Sequence, residues 1–349
     1  MVKPSLQAIA EQVGVSTATV SRALNDRAGV HPDTRAEILR IARELGYTPS
    51  VAAKSLATAR TFTLGLVTYQ QQPQPISSYH THIVQGIDLE ARQRGYHVIT
   101  TFVDGEMMSD ALRMPIFTES RVDGLILVGP ALEASFIIQL YTSHVPILLV
   151  DNLLSETNID AIVCDNVGGT YEITQHLIDV HGLHKLVFFS GPKDWFSSRE
   201  RRLGYEQALA EIGESPRVIY MPDTTVNMGS KALLQALDHY PDMQGIVAVN
   251  DATAVGAIRA CKENGIDVPH QLAVVGFDNV AWGPLHEPPL TTVRMFKQEL
   301  GIQAARHLID MIERGPSPGF QLRLGTELII RESCGCPPSE EMVFPDQGS

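Results

Sequence analysis

The sequence predicts an α/β protein in two parts: a small all-α head, and a body of parallel sheets covered by helices on both faces and divided into two subdomains. Three observations predict it. Residues 6 to 25 have the spacing of two short helices joined by a tight turn. The charge is divided unevenly along the chain. From Thr63 onward, short continuously apolar segments alternate with amphipathic ones.

In the head, Ile9, Val13, Val15, Val20 and Ala23 supply an apolar face. Ala10 is small enough for two helices to cross closely, and Gly14 accepts the positive φ that ends the first. Ser16 is placed to cap the second helix. Thr17, Ala18, Thr19, Ser21, Arg22 and Asn25 are left on its outer surface, short and hydrogen-bonding, with one Arg able to grip guanine O6 and N7 in a major groove. This is the pattern of a DNA-reading helix-turn-helix; the plain alternative is a helical hairpin with no DNA role.

A third helix follows, with Pro32 in its first turn, Asp33 near its N-terminus, a stripe of Ile38, Leu39, Ile41, Ala42 and Leu45, and Gly46 at its end. Tyr47 to Ser50 reads as a linker. Val51 to Ala57 reads as a two-turn segment too short to be helical alone in water, so it orders only against DNA or a partner chain.

Strands are expected at Thr63–Thr68, His97–Thr101, Gly124–Val128, Ile147–Val150, Ala161–Cys164, Lys185–Ser190, Arg217–Tyr220, Gly245–Val249 and Leu272–Phe277. Helices are expected between most of them, among them His82–Gln93, Gly168–His181, Glu200–Glu211, Ser230–His239 and Ala252–Asn264. Continuously apolar strands alternating with helices imply a parallel sheet buried on both faces. Nine such units are too many for one open sheet, and ligands of these sheets sit in a crevice beyond the strands' carboxyl ends.

Composition narrows the function. Residues 1 to 61 hold eight Lys/Arg and five Asp/Glu, a net of +3, so the other 288 residues carry −16 of the chain's −13 total. An acidic body is repelled by phosphate, so DNA contact falls to the basic head. No 18-residue apolar run occurs, and Met1 to Gln7 lacks the apolar core of a signal peptide, which points to a cytoplasmic protein with no membrane partner. Cys164 and Cys261 sit in apolar stretches and read as core residues. Cys334-Gly-Cys336 shows no second ligand pair at metal-site spacing, and His181 and His184 show no third ligand, so neither metal nor cofactor is expected. Phosphate loops, dinucleotide fingerprints, nucleophile elbows and His-Glu-x-x-His are all missing from the sequence, which weighs against an enzyme.

Over nearly its whole length the chain resembles the lactose-repressor and galactose-repressor (LacI/GalR) transcriptional regulators. The resemblance is carried by Val15-Ser16 through Thr19-Val20-Ser21-Arg22 and Leu24-Asn25, Gly46-Tyr47-Thr48-Pro49, and Ala52-Ala53 to Leu56-Ala57. In the body it is carried by Val122-Asp123-Gly124-Leu125-Ile126, Asn250-Asp251, Val275-Gly276-Phe277-Asp278, Pro288 to Val293 and Leu328 to Cys334. It implies a helix-turn-helix domain over 1–61 with a hinge helix over about 51–58, an effector and dimerisation domain over 62–335, and a tail over 336–349. The body would be of the type I periplasmic-binding-protein kind, with two Rossmann-like subdomains (62–163 with 294–323, and 164–293 with 324–335) and three chain crossings between them.

The resemblance also implies roles. Thr17, Ala18 and Arg22 fall where the family reads bases, with Ser16, Thr19, Ser21 and Asn25 toward phosphates. Ala53 lies in the hinge, beside Leu56, which falls where the family wedges a leucine into the minor groove. Tyr79, Asp151, Arg201, Asn250 and Asp278 match effector-binding positions, with Trp282 and Trp195 as aromatic candidates; these groups suit a polyol with an apolar ring face.

Two features depart from the family pattern. Thr224 stands where many members carry a stacking aromatic, and the polar segment 69–78 is longer than usual. The expected protein is a homodimeric repressor binding a pseudo-palindromic operator under control of a sugar. A purine, nucleoside or sugar-phosphate effector remains open, and an exported sugar-binding protein is the alternative outside regulation. A tail without leucine heptads implies dimers with no tail-built tetramer.

Overall fold

The computed structural model describes residues 5–24, 28–47, 58, 60–70, 78–119, 121–155, 157–315 and 319–337, with backbone only at 78 and 79. Asn25, Ala53, Leu56 and the tail beyond residue 337 therefore lie outside the described residues, as does the side chain of Tyr79. The chain divides into two compact units, Met1–Phe62 and Thr63–Ser349.

The first unit holds three helices, α1 (Leu6–Val13), α2 (Thr17–Leu24) and α3 (Pro32–Glu44). Ser5 Oγ caps α1 by accepting from the Ala8 amide, and Gly14, at φ 76°, turns the chain out of it. The Ser16 hydroxyl accepts from the Thr19 amide at 3.1 Å and so caps α2. Ile9, Ala10, Val20, Ala23, Ile38, Ile41 and Ala42 form a closed core where the three helices meet.

The second unit contains two parallel sheets. The larger is built from β1 (Thr63–Tyr69), β2 (His97–Val103), β3 (Gly124–Val128), β4 (Ile147–Val150), β5 (Asp160–Cys164) and β11 (Gln321–Leu324), in the order β11-β5-β4-β3-β1-β2. The smaller is built from β6 (Leu186–Ser190), β7 (Val218–Tyr220), β8 (Gly245–Ala248) and β9 (Ala273–Val275), in the order β7-β6-β8-β9. β3, β4, β5, β6, β8 and β9 are buried at every residue, as continuously apolar strands between two helical layers must be. A separate antiparallel pair, β10 (Thr292–Met295) and β12 (Thr326–Ile329), runs beside them.

The helices that matter for the site are α4 (Ser78–Gln93), α8 (Asn166–Asp179), α9 (Phe196–Glu211), α10 (Val226–His239), α11 (Asp251–Glu263) and α12 (Lys297–Arg314); the shorter α5 (Gly105–Ser109), α6 (Pro115–Thr118) and α7 (Ala134–Tyr141) flank the larger sheet. Several of them start about a turn earlier than the sequence suggests: α4 at 78 against an expected 82, α9 at 196 against 200, and α10 at 226 against 230. Their first turns carry Ser, Asn or Gly, which look like loop residues; in α10 the Thr225 hydroxyl accepts from the Met228 amide and pulls those residues into the helix, whereas Trp195 at the start of α9 makes no side-chain cap.

Candidate functional site

A cavity of about 520 Å³ opens between the two parallel sheets. Its walls come from the carboxyl ends of strands: Thr68 and Tyr69 of β1, residues 128 to 131 after β3, and Asp151 after β4. Opposite them stand Trp195 beyond β6, Thr224 and Thr225 beyond β7, Val249 and Asn250 after β8, and Asp278 after β9. In each sheet the cavity sits where the strand order reverses, between β1 and β3 and between β6 and β8.

Six of the seven effector positions drawn from the sequence line this one cavity: Asp151, Trp195, Arg201, Asn250, Asp278 and Trp282. Trp195 and Trp282 thus face the ligand space rather than a core. Tyr79 lies in the first turn of α4.

Arg201 is the best-tethered of the set. It sits on α9, which approaches α8 so closely at Gly204 that an added Cβ would stand 2.2 Å from the Val167 carbonyl oxygen. The guanidinium sits over the Phe277 ring, Cζ 3.8 Å from the centroid. Its Nε donates to Asn166 Oδ1 at 2.8 Å, and Nη1 donates to the Val249 carbonyl at 2.6 Å and to Asp278 Oδ1 at 3.4 Å. Residues from α8 and from the segments that follow β8 and β9 are thereby drawn to a single buried charge.

Asp151 (φ 54°) and Asp278 (φ 119°) both hold positive φ, which side-chain-bearing residues rarely adopt. Burial pushes the Asp278 carboxyl above the usual carboxylate range, with Arg201 and then Lys297 pulling it back. The Lys297 ammonium also donates to the Asp278 carbonyl oxygen. Behind the cavity, Asp251 is fully buried and accepts from the Thr292 hydroxyl at 2.5 Å and the Val280 amide at 2.8 Å. Burial, and then the neighbouring Asp278 carboxylate, raise it to about 7.

Asn250 is partly committed within the protein. Its Oδ1 accepts from the Thr253 amide as the cap of α11, and its Nδ2 donates to the Thr224 carbonyl. It fixes the wall of the cavity as much as it faces it.

The sequence did not single out Thr68, His80 or Ser198, which also line the cavity. The hydroxyls of Thr68 and Ser198 are buried and lack a hydrogen-bond partner among the described residues. Burial pushes the His80 imidazole down to about 4, so it is neutral near pH 7 and carries one donor and one acceptor. Ser198 had a readable signal: it lies three residues before Arg201, on the same helical face.

In the headpiece, Ser16, Thr17, Ala18 and Arg22 are exposed, while Thr19 and Ser21 are half-buried. The Thr19 hydroxyl is hydrogen-bonded to Ser16 Oγ at 2.9 Å. Arg40 is tied to Glu37 and Glu44, whereas Arg22 has no ion pair among the described residues.

Outside the cleft, one sequence reading needs correction. Cys334 and Cys336 do have a second ligand pair nearby, and His181 does have companions: His176, His181, Cys334 and Cys336 hold their ligand atoms within 4.8 Å of one another. The pairing was invisible because His176 and His181 are spaced five apart, across the end of α8, and lie far from the cysteines in sequence. No described helix is long and apolar enough to cross a membrane.

A helix-turn-helix unit in one chain with a two-sheet body of periplasmic-binding-protein type defines a class of protein, the DNA-binding transcriptional regulators that carry their own ligand-binding domain. Residues 5–50 match the model for bacterial regulatory proteins of the lacI family, and residues 61–331 match periplasmic binding proteins and the sugar binding domain of the LacI family. The chain belongs to the LacI family. Similar proteins include the HTH-type transcriptional regulator RegA of Clostridium saccharobutylicum, 30% identical over 332 residues, 94% of this chain and 98% of that one. CelR of Thermobifida fusca is 30% identical over 337 residues, 95% and 98%. Among solved structures, a CelR–cellobiose complex aligns with TM-score 0.72 at 30% identity, covering 95% of this chain and 99% of that one. A Lac repressor dimer bound to operator and the anti-inducer ONPF aligns with TM-score 0.79 at 27% identity, with the same coverage.

Proposed function

We propose that this regulator is a repressor whose hold on its operator is set by a small carbohydrate bound in the cleft. One observation carries the reading: a cavity of about 520 Å³ lined by two buried carboxylates, a tethered Arg, two tryptophans and two buried hydroxyls that lack a partner among the described residues. Asp151 and Asp278 accept from paired sugar hydroxyls, Arg201 and the amide of Asn250 donate, and Trp195 or Trp282 covers the apolar ring face that Thr224 cannot. Tyr79 completes the set at the start of α4. The CelR complex with cellobiose supports the ligand class.

A sugar phosphate fits less well. Arg201 is already matched to Asp278, and Asp151 adds a second carboxylate that would repel a phosphate. The reading gives the cleft a binding role and no catalytic one, in keeping with relatives that are named as transcriptional regulators.

In the headpiece, Thr17, Ala18 and Arg22 read bases, while Ser16, Thr19, Ser21 and Asn25 meet phosphates, and Ala53 and Leu56 act from the hinge. A homodimer presents two such heads to a pseudo-palindromic operator, as the operator-bound Lac repressor dimer supports. The subdomains divide as 62–163 with 294–323, and 164–293 with 324–335. Such a protein works in the cytoplasm, where its DNA is.

The test is a thermal-shift screen of the full-length protein against mono- and disaccharides, sugar phosphates and nucleosides, followed by operator binding with each hit. A ligand at about 100 times its Kd stabilises by roughly 2.7 kcal/mol. The expected result is a sugar hit that lowers operator affinity. A response confined to nucleosides would overturn the carbohydrate assignment, and a sugar that strengthens operator binding would overturn induction.

A further inference from the structure

We propose that His176, His181, Cys334 and Cys336 form a tetrahedral site for a divalent transition metal of the zinc class, which fastens the C-terminal segment to the end of α8. The distances carry the inference. With metal–nitrogen bonds of about 2.05 Å and metal–sulfur bonds of about 2.3 Å, a tetrahedral ion sets its nitrogens about 3.3 Å apart and each nitrogen about 3.5 Å from each sulfur. In the structure, His176 Nε2 and His181 Nε2 are 3.3 Å apart, and Cys336 Sγ lies 3.5 Å and 3.4 Å from them. The fourth atom, Cys334 Sγ, is within 4.8 Å of all three.

Mutual hydrogen bonding explains this arrangement poorly. Each Nε2 has a single in-plane direction, holding either a proton or a lone pair, so it can serve one neighbour well but not two. Here each Nε2 has both the other ring's Nε2 and a sulfur at hydrogen-bonding range. One cation at the centre satisfies all of them together.

The surroundings support the same reading. The Thr291 hydroxyl stands 3.1 Å from Cys334 Sγ, where it can donate to a thiolate. Gly335 has φ 106°, and a Cβ there would lie 3.3 Å from the His181 ring. Glycine therefore lets the chain pass close to that ring, with Cys336 Sγ 3.4 Å from its Nε2.

The experiment uses full-length protein without a polyhistidine tag, reduced with a phosphine, stripped by a chelator and titrated anaerobically with Co²⁺. The expected result is one equivalent bound, with the intense visible bands of tetrahedral cobalt and a thiolate-to-cobalt charge-transfer band, both abolished by one equivalent of Zn²⁺. Cys336→Ser should weaken Co²⁺ binding at least tenfold, about the least that disturbing a ligand shell costs, while Cys261→Ala keeps one equivalent. A weak octahedral spectrum in the wild type, or equal uptake by wild type and Cys336→Ser, would overturn the site. The wild-type spectrum decides the matter even where a variant fails to fold.

Discussion

Arg201 Nη1 lies 3.4 Å from Asp278 Oδ1, and both side chains are almost wholly withdrawn from solvent, although α9 and the loop after β9 that carry them are far apart in sequence. A pair buried this deeply adds little net stability on its own, because desolvation cancels much of the attraction; removing one member leaves the other charge stranded. The pair is therefore better understood as a fixed polar wall of the cleft than as a staple.

From this follows the behaviour of Asp278→Ala. The ligand-induced thermal shift should vanish, and the free protein should lose about 3 kcal/mol because Arg201 is left unmatched. The headpiece has its own closed core, so operator affinity should stay within a few-fold of wild type. A normal ligand dose-response from Asp278→Ala would remove this residue from the site.

Ser198→Ala should behave in the opposite way. The hydroxyl is buried without a partner among the described residues, so deleting it costs the free protein nothing or stabilises it slightly. If the hydroxyl is there for a ligand, affinity should fall by about 0.5–1.5 kcal/mol, the net worth of one hydrogen bond. Melting curves with and without ligand separate the two effects. Loss of stability in the free protein with unchanged affinity would make Ser198 purely structural.

Much of the site could be read from the sequence because its carboxylates end apolar strands. Asp151 and Asp278 directly follow expected apolar strands, and it was the family resemblance that marked them, with the rest of the set, as effector positions. Ser198 and Thr68 could not be read in this way, since being unpaired is a property of the folded surroundings. Helix starts were misplaced for a related reason: α4, α9 and α10 begin with residues that favour turns, and at α10 the Thr225 cap extends the helix backward through them. The strands β10, β11 and β12 and the helix α12 were also passed over, because β10, β11 and β12 are short and only partly apolar. The histidine and cysteine cluster is the clearest case, since only the fold brings His176 and Cys336 together.

Gly204→Ala tests how Arg201 is held. The new methyl would meet the Val167 carbonyl, a backbone atom with no rotamer to yield, so α8 and α9 must separate. A cost of about 1–3 kcal/mol is expected from such overpacking. Ligand affinity should fall with it, because Arg201 loses its register with Asn166 and Asp278. Unchanged affinity in a destabilised protein would show that the guanidinium is placed by its own hydrogen bonds and not by the helix crossing.

For the headpiece, Arg22→Ala should cost about 1–3 kcal/mol on operator DNA and far less on random DNA, as a base-reading Arg does. Binding isotherms on both DNAs over a range of salt make the distinction. An equal loss on each, with a salt slope smaller by about one, would assign Arg22 to the phosphates instead.

The last prediction concerns pH. Asp251 has a raised carboxyl, about 7 in the folded protein against an ordinary 3.8, through burial and the adjacent Asp278. A carboxyl that binds its proton more tightly when folded contributes stability below its unfolded pKa and loses it as pH rises toward the folded value. Between about pH 4 and pH 7 the wild type should thus lose stability relative to Asp251→Asn, by up to about 1.4 kcal/mol per pH unit for one proton. The amide can keep both contacts, with its oxygen accepting from the Val280 amide and its nitrogen donating to the Thr292 hydroxyl. Urea unfolding of both proteins across that range gives the difference directly. Parallel pH profiles would mean that Asp251 is already ionised in the folded state, and that Arg201 and Lys297 neutralise the two carboxylates together.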